Sequence, residues 1–241
     1  MKNLLNHPLS TALQAMMALA LVLTSLSVDA RPKVEKKLKV ACVGNSITYG
    51  TGINDRETDA YPSQLQRMLG DAYEVGNFGR PSATLLAHGH MPYFKQAEWN
   101  AAKAFAADIA VVHLGINDTD PRNWPNYRDE FVTDYLHLID TLRQVNPQVR
   151  ILIARLTPIR HDHHRFTSGT KRWHDEIQEA IETVARVAGV ELIDFHAPLY
   201  HHPDYSVEGI HPNPAGARLL ALTAYSGITG NYGGLRMSPL Y

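Results

Sequence analysis

Leu38-Lys39-Val40-Ala41-Cys42-Val43 runs directly into Gly44-Asn45-Ser46-Ile47-Thr48, and that junction decides how the rest of the chain is read. The first six residues are mostly apolar without strict alternation, the pattern of a strand covered on both faces. A glycine and an asparagine then turn the chain and leave Ser46 at the strand's exit. The same kind of run recurs at Tyr73–Phe78, Asp108–Leu114, Val149–Leu156 and Val190–Phe195. Helical stripes lie between the later runs. Tyr127, Phe131, Tyr135, Leu138, Leu142 and Val145 recur at three- and four-residue steps before Asn146-Pro147 stops them. Trp173, Ile177, Ile181, Val184 and Ala188 form a second stripe closed by Gly189, and Asn213-Pro214 offers a cap and first-turn proline for a last helix to about Tyr225. Strands alternating with helices predict an α/β fold, a three-layer α/β/α sandwich joined by right-handed crossovers. The expected sheet is five-stranded and parallel, in the flavodoxin-like order 2-1-3-4-5.

In such a sheet the strand exits share one edge, where ligands bind. Gly44-Asn45-Ser46, Gly79, Gly115-Ile116-Asn117-Asp118 and Glu208-Gly209-Ile210-His211 all fall there. A serine hydroxyl is a poor nucleophile at neutral pH and needs a base within reach. His211, on the loop entering the last helix, can take the Ser46 proton and return it to a leaving alcohol. Glu208, three residues earlier, can reach the other ring nitrogen and fix its tautomer; Asp204, seven residues away beside Pro203, is a weaker candidate. A tetrahedral intermediate needs donors aimed at its oxygen. The expected set is the backbone N–H of Ser46 and Gly79 with the Asn117 side-chain amide.

Over roughly Lys37–Tyr225 these blocks resemble the SGNH hydrolase family, also called GDSL-like esterases. Gly44-Asn45-Ser46 matches its first block, the glycine of Asn77-Phe78-Gly79 its second, Gly115-Ile116-Asn117-Asp118 its third and Glu208-Gly209-Ile210-His211 its last. The resemblance implies an α/β/α fold, Ser46 as nucleophile, His211 as base and a Ser46/Gly79/Asn117 oxyanion hole. Two positions depart from it. Asn45 stands where the family has aspartate, and Asn can make similar turn hydrogen bonds. Glu208 replaces the usual aspartate, and its extra methylene moves the carboxylate by roughly 1.5 Å. Asn117–Trp124 and Tyr61-Pro62 resemble the carbohydrate O-acetylesterases of the family, including sialate O-acetylesterases. Gly233–Tyr241 looks like the junction to a second esterase domain in such proteins. The expected activity is therefore a secreted serine esterase acting on O-acetyl carbohydrate, with sialic acid one target. Arg80, beside Gly79, is a candidate partner for an anionic sugar, or else an ordinary salt bridge. Trp124 either stacks on a sugar face or caps the helix near Tyr127.

The remaining features bound this reading. A formal net charge of −1 over 241 residues gives no footprint for nucleic acid or anionic lipid. Lys2 and His7 precede an apolar run Leu13–Leu26, and Val28 and Ala30 suit a signal-peptidase site, so residues 1–30 read as a signal peptide and the mature chain starts near Arg31. No membrane span is expected after cleavage, and the absence of any cysteine but Cys42 fits a bacterial periplasm. Cys42 itself reads as core. Residues 31–226 form the hydrolase domain, and Gly227–Tyr241 reads as a Gly-rich tail that packs back or links onward. His161-Asp162-His163-His164, His88-Gly89-His90 and His201-His202 lack the spacing of a zinc site, so neither metal nor cofactor is expected. The rivals are an arylesterase or lysophospholipase of the same superfamily and a carbohydrate-binding relic weakened at Glu208. A nucleotide-binding flavodoxin-like protein is disfavoured by the glycine spacing around Ser46.

Overall fold

The computed structural model describes residues 36–167 and 170–231. Five parallel strands, β1 (Leu38–Gly44), β2 (Tyr73–Gly79), β3 (Ile109–His113), β4 (Arg150–Arg155) and β5 (Glu191–Asp194), lie in the order β2-β1-β3-β4-β5. This is the expected fold and strand order. Every residue of β3 is buried, as its run of apolar side chains at the centre of a two-sided sheet requires. The register sets Gly44 of β1 opposite Gly79 of β2 on one side and His113 of β3 on the other. The exits of the three strands that begin the site are thus level.

Helices α1 (Tyr61–Leu69), α2 (Ala97–Phe105), α3 (Phe131–Val145), α4 (Lys171–Ala188) and α5 (Pro214–Thr229) complete the layers. Right-handed crossovers put α1 on one face and α2, α3 and α4 on the other. The packing agrees: α5 lies beside α1, and α3 beside α4. In α4 the buried side chains His174, Ile177, Ile181 and Val184 follow a helical stripe, and Gly189 closes the helix in a left-handed cap at φ +61°. The stripe expected to begin at Tyr127 enters its α-helix only at Phe131, because Trp124–Tyr127 and Arg128–Glu130 form short separate turns first.

α5 corrects the expected domain boundary. The helix continues through Gly227 to Thr229 rather than giving way to a tail at residue 227. A Cβ at Gly227 would sit 2.8 Å from Leu152 and 2.9 Å from Ile193, so this glycine allows the helix to lie close on β4 and β5. Arg150 fastens the helix end, donating to the carbonyls of Gly227 (2.7 Å) and Ile228 (2.6 Å). The expected signal peptide and the tail beyond Asn231 lie outside the described residues. No described helix is long and apolar enough to cross a membrane. Cys42 is wholly buried, and burial pushes its thiol up to about 12, as its reading as core implies.

Candidate active site

β1 delivers Ser46 onto a one-turn helix, Ser46–Tyr49, whose start is capped by Asn45. The Asn45 Oδ1 accepts from the Ile47 N–H at 3.0 Å, and its Nδ2 donates to the His113 carbonyl at 3.4 Å. A carboxylate could do the first but not the second, so asparagine ties the Ser46 turn to the end of β3. Ser46 is only 7% exposed, yet its own N–H, at the first helical position, has no partner among the described residues.

His211 reaches it from the other side of the sheet edge. Its Nε2 lies 2.8 Å from Ser46 Oγ, and its Nδ1 is hydrogen-bonded to Glu208 Oε1. A carboxylate only accepts, so the ring proton belongs on Nδ1 and Nε2 is left to accept from the serine hydroxyl. Both side chains come from one tight loop. The Val207 N–H donates to the His211 carbonyl (2.9 Å), Ser206 bridges antiparallel to Pro212, and the Arg160 N–H holds the Gly209 carbonyl (2.7 Å). Gly209 has φ +92°, a conformation that side-chain-bearing residues rarely adopt, which lets the loop turn between acid and base. Asp204, the weaker candidate, has no hydrogen bond to His211 among the described residues.

β3 exits through Gly115, at φ +120°, into the turn Ile116–Thr119 that carries Asn117. Asn117 is buried, and its Nδ2 donates to the Ala83 carbonyl at 2.9 Å. Next to it Asp118 accepts from the N–H groups of Leu85 (3.0 Å) and Leu86 (2.8 Å), and burial raises its carboxyl to about 6. Asp134 holds the Ala87 N–H (2.7 Å) and Asn123 that of His90 (2.9 Å). The whole segment after β2 is thereby stitched to the segment after β3.

Three of the candidate site residues have other partners in the structure. The Gly79 N–H is taken by Asn77 Oδ1 at 3.0 Å. A Cβ on Gly79 would lie 2.6 Å from Tyr49 Cα, so this glycine serves the close approach of β2 to the Ser46 turn. Three residues on, Ser82 has φ +65°, and its N–H has no partner among the described residues. It adjoins Ala83, whose carbonyl holds Asn117. Ser82 was not singled out from sequence because serine carries no signal for a left-handed backbone. Trp124 is 3% exposed, packs edge-on against Phe131 and donates to Glu176 at 2.6 Å, leaving no face open for a sugar. Arg80 is the ordinary alternative weighed for it: Glu98 lies 3.9 Å away in a loose ion pair.

A further residue joins the site unannounced. Arg165 donates to Asn117 Oδ1 at 3.2 Å and to the Ile116 carbonyl at 2.9 Å. Of the histidine clusters, His163 and His164 lie with tilted rings 4.1 Å apart at their centroids and His88 pairs with Glu130 at 2.7 Å; among the described residues no three metal-binding side chains are gathered. A cavity of about 630 Å³ opens beside the His211 loop, lined among others by Arg160, His161, Tyr200, Tyr205 and Ile210.

Comparison with known proteins follows this geometry. The model of the GDSL-like Lipase/Acylhydrolase family matches residues 42–219, and the chain belongs to that family. An acetylxylan esterase of Xylanibacter ruminicola is 38% identical over 205 residues, an alignment taking in 78% of this chain. The chain spans 42% of that relative's length. Among solved structures, an acetyl xylan esterase, AlAXEase, superposes with a TM-score of 0.61 at 20% identity, over 79% of this chain and all of that one. The aryl esterase of M. smegmatis does so with a TM-score of 0.59 at 16% identity, covering 80% and 99% of the two chains. Identities this low bear on fold alone.

Proposed function

We propose that the protein is a serine esterase that removes O-acetyl groups from carbohydrate through an acyl-enzyme on Ser46. The observation that carries this is the hydrogen-bonded line from Ser46 through His211 to Glu208. In the first step His211 Nε2 takes the hydroxyl proton as Ser46 Oγ bonds to the acetyl carbon. The resulting oxyanion is met by the Ser46 N–H, the Asn117 amide and the Ser82 N–H, the last in place of Gly79. Collapse breaks the C–O bond to the sugar, and His211 hands its proton to the leaving oxygen. Water then attacks the acetyl-serine with His211 again as base, releasing acetate and restoring Ser46. Glu208 holds the ring and stabilises its charged form throughout.

The name of the relative, acetylxylan esterase, supports reading xylan-type O-acetyl sugars ahead of O-acetyl sialic acid. Export belongs to the same reading, with residues 1–30 as a cleaved leader and the periplasm as the site of action. The test is acetate release from acetylated xylan fragments, O-acetylated sialic acids and aryl acetates, with a serine-directed phosphonate as active-site label. Xylan fragments should be the fastest carbohydrate, with the label on Ser46. Turnover of aryl acetates alone would remove the carbohydrate assignment, and labelling elsewhere would remove Ser46.

A further inference from the structure

Asn117 presents a problem that its position alone does not solve. A primary amide fits its pocket in two orientations of nearly the same shape, and only one aims the NH₂ at an oxyanion. Something must choose. The carbonyl of Ala83, an acceptor, lies 2.9 Å from Nδ2, and the guanidinium of Arg165, which can only donate, lies 3.2 Å from Oδ1. Flipping the amide would set NH₂ against guanidinium and carbonyl against carbonyl. The two partners together exclude the inactive orientation.

The geometry points to Arg165 as a positioning residue that locks the Asn117 amide with its second N–H free for the oxyanion. This inference rests on the reading of Asn117 as an oxyanion donor. Arg165 is itself held. Its Nη1 donates to the Ile116 carbonyl at 2.9 Å and lies 3.5 Å from Thr119 Oγ1, and that hydroxyl donates to the same Ile116 carbonyl at 2.7 Å. The planar fork therefore grips the backbone one residue before Asn117 and the side chain of Asn117 at once. A lysine, with a single point of charge, cannot span both acceptors. Arg165 comes from the segment between β4 and α4, 48 residues away in sequence, so the lock couples that segment to the chemistry at the β3 exit. A cation on Oδ1 also draws electron density from the amide and strengthens its N–H as a donor.

The experiment is a double-mutant cycle on an aryl acetate, using Arg165→Met, Asn117→Ala and both together, with Arg165→Lys as the variant that retains charge and fold. Arg165→Met should lower kcat by about ten- to a hundredfold with KM within about threefold. Arg165→Lys should recover only part of that loss. In the Asn117→Ala background, removing Arg165 should cost less than about twofold more, because no amide is left to orient. Added guanidinium should rescue an Arg165→Ala variant only when Asn117 is present. Full losses that multiply in the double variant would overturn the lock, since Arg165 would then act elsewhere. Wild-type kcat in Arg165→Met and Arg165→Lys would overturn it too. If Asn117→Ala alone keeps wild-type kcat, the oxyanion reading of Asn117 fails, and the lock falls with it. That result is distinguishable from a loss in Asn117→Ala accompanied by no loss in the arginine variants.

Discussion

The nucleophile's turn and the histidine's loop meet at one hydrogen bond and are built in opposite ways. Ser46 stands on a buried turn, capped by Asn45 and wedged against Gly79. Around it, Asn117 and Asp118 are fixed by buried hydrogen bonds to the segment after β2. In the loop that offers Glu208 and His211, Gly209 and Ile210 are buried, but the Glu208 side chain is 48% open to water. Charge development at the oxyanion demands donors that do not move. A base has only to swing a proton between two oxygens, which leaves the acid behind it more latitude. This accounts for the departure at Glu208; Asn45, the other departure, is buried but keeps the shape of an aspartate. The longer acid at Glu208 is absorbed where its side chain is open to water, whereas a comparable displacement on the buried side would disturb a packed turn.

That contrast can be tested by striking each side in turn. Removing the nucleophile is the largest blow: Ser46→Ala should lose at least about 10⁴-fold in acetate release with an unchanged circular dichroism spectrum. Substantial turnover in that variant would move the chemistry elsewhere. Next comes Gly79→Ala, which touches no reacting atom. Its methyl must push Thr48 and Tyr49 away, and a shift near 1 Å at Ser46 should cost about 10²-fold in kcat. A Gly79→Ala enzyme at full speed would show that the turn is not rigid. On the exposed side, Glu208→Gln should cost about ten- to a hundredfold, because the ring loses its preferred tautomer. Glu208→Asp should stay within about fivefold of wild type, and a collapse on this one-methylene change would mean that the loop has no slack.

Acid should also find the buried side first. Burial holds His113 down at about 3 and His174 at about 4, against 6.5 for a free imidazole. Below pH 6.5 the unfolded chain takes up protons that these folded rings refuse, so stability falls as pH falls toward 4. Asp118 works in the other direction, because a carboxyl raised to about 6 favours the folded state as pH falls from 6 toward 3.8. Two rings outweigh one carboxyl, giving a net loss on the order of 3 kcal/mol between about pH 6.5 and pH 4.5. Urea midpoints at those two values measure it, and equal midpoints would contradict the burial of both rings. The smallest effect is expected at Ser82. Ser82→Gly relieves a left-handed backbone while keeping the N–H, so kcat should remain within about twofold.

Much of this was legible in the chain. Strand and helix alternation is a local signal, and it placed all five strands to within about two residues at each end. The juxtaposition of Ser46 with His211 follows from topology, because strand exits in a parallel sheet must share an edge. The errors have a common cause. Gly79 is the glycine that follows the second strand and matches the family's second block, while the residue in the left-handed backbone is a serine whose φ no residue type announces. Trp124 lies in the segment that resembles carbohydrate esterases, where sugar stacking and capping of the next helix are equally open from sequence. Its burial is decided by Phe131 and by Glu176, the latter 52 residues away. Arg165 could not be tied to Asn117 for the same reason: the pairing exists only after α4 has docked.

The hydrogen bond between His211 and Ser46 joins residues 165 apart, and the helix that follows His211 is tied back to α1 by Gln64, which donates to the Pro214 carbonyl at 2.9 Å. A ribosome makes the chain from its amino end, so β1, β2 and β3 can pair while the histidine is still unmade. Under the proposed mechanism, Ser46 and its oxyanion donors are at that stage present without a base, and the nascent protein is chemically silent. Competence comes with the closing of a long loop, among the slowest kinds of contact for a chain to form. Activity in this molecule therefore reports that its last helix has arrived.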